Sequence, residues 1–404
     1  MGGSFVASVV MIVRQFLQWV RAARPGERAE ATSALARAYL HSDLSTDDLA
    51  AAEGAMIMLL DDPSPLVRQA MSDVFASSQK APPVVVRALA DDQFEVAQPL
   101  IERSPLLNDE DLVELVAAGK PQTQFAIAQR PLLTTIVAAA LADTATAEAC
   151  LALLENGDAQ ITLRAIERII ERFGHTAPIR ENLLARDDLP MAMRQTLLSK
   201  LSQTLAGFVT ARQWLVPEHA EYAAREACEK ATVALAAETP YEEIGELVRH
   251  LRQSGQLTAG MLLRALLSGN VVLFEEALAE LSDLPLERVG SHVEDRNLAG
   301  FRALYRKAEL PDLAYPAFRA ALGALREGIL VGEPRDAARL KRRMVERVLD
   351  ACAEDGAEAA LLALLRRFAV EAARDEARMF CNDLVADSVP PAATYRIADA
   401  RVAA

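Results

Sequence analysis

The stretch LLDDPSPLVRQAMSDVFA, from Leu59 to Ala76, constrains the fold more than any other part of the chain. Asp61, Asp62, Pro63 and Pro65 stop one helix and open the next. Proline lacks the amide that a helix interior needs but fits the first turn, where Ser64 is placed to cap it. Val67, Ala70, Met71, Val74 and Phe75 then share one helical face. Similar junctions return as LADDQFEVAQPLIERS around Asp92, LVAAGKPQTQFAIAQR around Lys120, LLENGDAQITLRAIERI around Asp158 and LLARDDLPMAMRQTLLSKL around Asp188. The steps are 30, 28, 38 and 30 residues, each the length of one helical hairpin. ERSPLL and QRPLL repeat within the same register and place Arg103 and Arg130 27 residues apart.

The Leu59–Ala76 stretch resembles the turn and second helix of a HEAT repeat, down to Arg68 directly after Val67. That resemblance implies helix pairs stacked side by side, with the arginine paired to an acidic turn residue of a neighbour. Composition agrees with helices: the chain is 51% hydrophobic but only 5% aromatic, and much of its apolar content is Ala, Leu and Val. At 404 residues it exceeds a usual single core, so two domains or an elongated array is expected.

The expected organisation is an N-terminal helix or flexible lead over 1–30, a HEAT-like solenoid over 31–205, a helical domain without clear repeats over 206–330, and C-terminal amphipathic helices with a tail over 331–404. Phe5–Val13 is an apolar run with no preceding Lys or Arg, and it continues at helical spacing through Phe16, Leu17 and Val20. It reads as a docking helix in preference to a membrane-surface anchor, and as neither a signal peptide nor a membrane span; residues 1–10 are open as to order. Thr239 and Pro240 mark a cap and first turn, and Gly255, Gly269 and Gly290 are expected at turns.

The LTAGMLLRALLSGNVVLFEEALAELSDLP segment (Leu257–Pro285) and FRALYRKAELPDLAYPAFRAAL (Phe301–Leu322), behind an acidic repeat array, resemble an alphaproteobacterial uncharacterised family, domain of unknown function 2336. The resemblance runs from about Ala29 to Leu325. It implies a cytoplasmic, HEAT-like helical protein and carries no activity to any residue.

A formal net charge of −14 and a pI near 5.0 oppose non-specific attraction to phosphate backbones or anionic lipid, so nucleic acid is a poor default partner. Cys150, Cys228, Cys352 and Cys381 form no CxxC pair, and are expected to be reduced and mostly buried. No HExxH, GxSxG, GxxxxGK[ST] or GxGxxG pattern occurs, and the histidines have no mutual ligand spacing; no cofactor or metal is signalled.

Three constellations remain. Arg164, Arg168 and Arg172 form a ridge that could hold phosphates, or a salt-bridged face with Glu167 and Glu171. Lys341, Arg342, Arg343 and Arg347 form a basic cluster that could meet an acidic partner, the protein's own acidic half or a lipid surface. HVEDRN, His292 to Asn297, groups side chains for acid-base chemistry or for oxygen and nitrogen ligation of a metal, or simply caps and cross-links short helices. The leading expectation is a non-enzymatic cytoplasmic scaffold whose acidic solenoid binds another protein through side chains such as Arg68, Gln69, Ser72 and Asp73. The C-terminal helices would add a second surface or form a homodimer. The alternatives are an anion or nucleic-acid binder on the Arg164 ridge, and a small-molecule sensor or enzyme centred on His292–Arg296.

Overall fold

A computed structural model describes residues 19, 20, 22–295, 298–327 and 337–388. These form twenty-one α-helices and one short 3-10 turn, with no strand among the described residues. The apolar N-terminal run before Trp19 lies outside the described residues, as do Arg296 and Asn297. The chain divides into two compact units at Leu189/Pro190.

The first unit holds α1 (Pro25–His41), α2 (Thr46–Leu59), α3 (Pro65–Phe75), α4 (Pro83–Ala90), α5 (Phe94–Arg103), α6 (Asp109–Ala117), α7 (Pro121–Ala128), α8 (Thr135–Thr144), α9 (Ala147–Glu155), α10 (Leu163–Phe173) and α11 (Ala177–Leu184). Short helices of this kind need tertiary support, and it comes from the next helix but one. In one row α1 packs on α3, then α5, α7, α9 and α11 follow in turn; in the other α6 packs on α8 and α8 on α10. Prolines occupy the first turns of α1, α3, α4, α7 and α11, while Ser45, Asn108, Thr146 and Thr162 accept capping hydrogen bonds from backbone amides.

Two sequence expectations change here. Ser64 sits at the N-cap of α3 without capping it; the Asp62 carboxylate instead accepts the Ser64 amide at 2.8 Å. The 38-residue step mixes two kinds of turn. Asp62, Asp92 and Lys120 precede α3, α5 and α7, whereas Asp158 precedes α10, in the other row. The turn that continues the first series is Ala145–Thr146, before α9. It has neither Pro nor Gly, because the Thr146 hydroxyl alone caps the helix through the Ala149 amide.

The second unit begins with two long helices, α12 (Met191–Ala211) and α13 (Pro217–Glu238), packed as a hairpin. There follow α14 (Tyr241–Gln253), α15 (Ala259–Leu267), α16 (Val271–Ser282), α17 (Leu286–Glu294), α18 (Leu298–Lys307), α19 (Tyr315–Arg326), α20 (Ala337–Glu354) and α21 (Ala359–Ser388). Phe274, Phe301, Tyr305, Tyr315 and Phe318 form a ring cluster at its centre, with Phe274 and Phe318 stacked at 5.8 Å. Met344, Val345, Val348 and Leu365 belong to this same core, and α20 packs on α19, α15 and α21. The segments expected at 206–330 and 331–404 therefore share one core, because the apolar stripe of α20 is buried in it. The boundary also falls before α12, not within its last turns.

Gly255 and Gly269 end helices in the left-handed conformation, at φ 68° and 79°. Gly290 instead lies inside α17, facing the Glu275 carboxylate. Thr239 donates back to the Leu235 carbonyl and leaves the N-cap of α14 to Pro240. All four cysteines are free thiols, with Cys150, Cys228 and Cys352 buried and Cys381 exposed. Burial pushes the Cys150 thiol up to about 11.

Candidate interaction surfaces

Cationic side chains tie each hairpin of the first unit to the next. Arg28 grips Asp62 through two hydrogen bonds of 2.9 and 2.7 Å. Arg68 grips Asp92 (Nη2 to Oδ1, 3.0 Å) and donates to the Asp62 carbonyl. Arg130 donates to the carbonyls of Leu100, Ile101 and Ser104 at the end of α5, and Arg172 to those of Ala142 and Ala145 at the end of α8. Leu100 also accepts the Ser104 amide, but helix ends leave other carbonyls without a helical partner, and a guanidinium from the neighbouring hairpin satisfies them.

Burial alone would raise the Asp62 and Asp92 carboxyls. The hydrogen bonds from Arg28 and Arg68, the Ser64 and Gln93 amides and the guanidinium charges outweigh it, holding both below the ordinary 3.8. A depressed carboxyl pKa gives stability that is present above the ordinary value and lost as pH falls through the folded one. Acid titration of thermal stability should therefore show a loss beginning below 3.8 that Asp62→Asn/Asp92→Asn flattens. Equal acid slopes in the two proteins would refute this source of stability.

The ladder corrects several expected contact residues. Arg68 is committed to Asp92 and the Asp62 carbonyl, and Ser72 is buried; neither is offered to a partner. Of the arginine ridge, Arg168 is paired with Asp143 and Glu171 at 2.9 Å each, and Arg172 caps α8 while lying 4.5 Å over the Phe173 ring. Only Arg164 is exposed with no ionic partner among the described residues.

Exposed apolar side chains stand at the entries to α8 and α10. Leu132 is 82% exposed, with Ile136 and Leu163 also exposed. Leu132 and Ile136 stand at the entry to α8 and Leu163 at the entry to α10; these helices pack together, and the Gln160 amide donates to the Leu133 carbonyl at 2.9 Å. Leu132 has φ 53°, a conformation that costs a non-glycine residue about 1 kcal/mol. Sequence reading missed it, although the Leu132-Leu133 pair was a signal: Leu133 is buried, so its neighbour points out.

In the second unit the expected basic cluster is mostly engaged. Lys341 lies 3.7 Å from Asp375; burial lowers its pKa against the pull of Glu371 and Asp375. Arg342 pairs with Glu346 and Glu376 at 2.8 and 3.0 Å, and Arg347 with Glu327 at 3.5 Å. Arg343 alone is exposed without a partner among the described residues. Through Asp375 and Lys230, Lys341 alone of the four joins a network centred on Arg264, which is 3% exposed, ion-paired to Glu371 and Glu226 and placed 4.4 Å over the Phe368 ring. The missed signal was a lone charge inside the apolar helix GMLLRALL.

His292 and Glu294 lie on α17, where the His292 ring packs against the Gly300 backbone and the Val293 carbonyl accepts Arg326 at 2.7 Å. Arg296 of that cluster is outside the described residues. Among the described residues, no group of three or more His, Cys, Asp or Glu side chains could hold a metal ion. No helix there is long and apolar enough to cross a membrane.

A groove of about 960 Å³ runs along the α12–α13 hairpin and closes at Gln256, Thr258 and Met261. At its tip Trp214 is 64% exposed, meets Phe208 edge-on at 5.8 Å, and shares Arg212 with it.

Helices alone, cross-linked hairpin to hairpin in the first unit and gathered on an aromatic core in the second, define an all-α protein whose features are surfaces and internal ties. A family model described as "Uncharacterised protein conserved in bacteria (DUF2336)" matches residues 96–358, and the chain belongs to that family. No curated protein and no solved structure matches it.

Proposed function

We propose that this chain is a non-enzymatic, cytoplasmic scaffold whose first unit is a HEAT-like solenoid that binds another protein. The reading rests above all on Leu132, an exposed leucine in a strained backbone conformation, with Ile136, Leu163 and the open Arg164 also exposed at the entries of the packed pair α8 and α10. Packing gives no reason for such a side chain there; an apolar contact with a partner does. Stacked hairpins bury their core only against neighbours and leave long faces free for binding. The partner segment that fits is apolar with a carboxylate placed for Arg164. An anion-binding reading loses support because Arg168 and Arg172 are already engaged.

Leu132→Asn separates binding from stability. Asparagine tolerates the left-handed region, so the variant should be more stable by about 0.5–1 kcal/mol while its affinity for a cross-linked partner falls about tenfold or more. Chemical denaturation and quantitative capture, compared with wild type, give both readouts. Undiminished capture of the same proteins by Leu132→Asn and by Leu163→Asp would reject the site.

A further inference from the structure

We propose that the groove along the distal α12–α13 hairpin seats the same hairpin of a second copy, closing an antiparallel four-helix arrangement. From Ser199 through Ala227 the hairpin has a single buried residue, Ala220, and within the second unit the packing of that stretch is dominated by its own partner helix. Two helices alone leave apolar surface open: Leu205, Phe208, Trp214, Leu215 and Val216 are exposed on the hairpin outside the lining of the groove itself, while Tyr222 lies beneath Arg367 of α21. The walls carry small side chains, among them Ala206, Gly207 and Ala224, which let another helix approach to close-packing distance.

The charges choose a second copy over a foreign helix. Glu221 and Arg225 both line the groove, one helical turn apart, and neither has an ionic or hydrogen-bonded partner among the described residues. That spacing usually forms a pair within the helix. Of the three charged side chains in the lining, Glu229 accepts the Thr258 hydroxyl at 2.7 Å, while Glu221 and Arg225 stay unengaged, one of each sign, and a partner of single sign would leave one of them unmatched. An isologous contact needs a patch complementary to itself. With a two-fold axis at the level of Ala223, Arg225 of each copy faces Glu221 of the other. Trp214 stands in the turn that joins α12 to α13, and in this antiparallel pairing the turn of each copy points toward the Thr258 and Met261 end of the other's groove. Buried aromatic and arginine side chains are those that anchor interfaces.

Sedimentation equilibrium of the purified full chain over a range of concentrations tests this, independently of any partner of the first unit. Wild type is expected to dimerise, and Arg225→Glu and Glu221→Arg each to weaken the dimer about tenfold or more by placing like charges face to face. Mixing the two variants, or combining both changes in one chain, restores the opposite-charge contacts and should restore the dimer. Circular dichroism checks that helicity is retained, and the combined variant controls for folding. A monomer at every concentration, a dimer indifferent to both single changes, or a mixture that fails to recover would overturn the proposal.

Discussion

Glu371→Ala is expected to destabilise the second unit by about 3–5 kcal/mol, whereas Arg264→Met, which removes the opposite charge, should cost far less. The asymmetry follows from what each change leaves behind. Arg264 sits among Met261, Leu262, Leu263 and Leu266, all buried, and its Nε and Nη2 have no hydrogen-bond acceptor among the described residues. Its compensation is the Glu371 carboxylate, the Phe368 face and Glu226 at 3.7 Å. Without Glu371 a desolvated guanidinium keeps only the distant Glu226. Without Arg264, Glu371 still has the Lys230 ammonium at 3.3 Å. The methionine fills the space with a flexible apolar chain. Denaturant unfolding of the two single variants and the double variant closes a cycle, and a coupling energy is expected because the residues touch. A loss under about 1 kcal/mol for Glu371→Ala would mean that water reaches Arg264 and the site is not desolvated.

What the sequence revealed and what it concealed divide along the range of the physics involved. Helix breaks at Pro63, Pro65 and Pro121 are local chemistry and read directly. The hairpin period followed from them until Thr146, where one hydroxyl does the work that Asp and Pro do elsewhere and the periodic signal vanishes. The pairing of Arg68 with an acidic turn residue was implied by resemblance, but its use of Asp92, 24 positions away, depends on how hairpins stack. The same stacking turned Arg172 from a surface candidate into a cap for α8. Charge patterning on one helix cannot reveal this, because a ridge of arginines looks the same whether it faces solvent or the carbonyl ends of its neighbour. Arg264 and Leu132 were legible in principle as misfits: a charge within an apolar helix, and a leucine with no place in a core already filled by Leu133.

Arg130→Met should cost the first unit about 3 kcal/mol, and the damage should stay local. Burial lowers the Arg130 pKa, and among the described residues no carboxylate pairs with it, so backbone carbonyls hold its charge there. At the end of α5 the Ile101 and Ser104 carbonyls lose this donor, while Leu100 keeps the Ser104 amide at 2.8 Å; hydrogen bonds from charged groups contribute about 1.5–3 kcal/mol each, and water entering beside the exposed Arg103 recovers part of the loss. Lysine supplies a compact charge in place of a planar fork, so Arg130→Lys should recover only part of the stability. One step along, Asn156 makes the same kind of tie, donating to the Ala128 and Arg130 carbonyls at 2.9 and 2.8 Å. Each tie therefore joins one hairpin to its immediate neighbour, and in such an array stability is a sum of unit and nearest-neighbour contributions. Hydrogen exchange of Arg130→Met should lose protection in α5 and α7 while α1 and α3 keep theirs. Uniform loss across the unit would show instead that the hairpins melt as one cooperative body, and that the guanidinium ties set its overall stability without dividing it into steps.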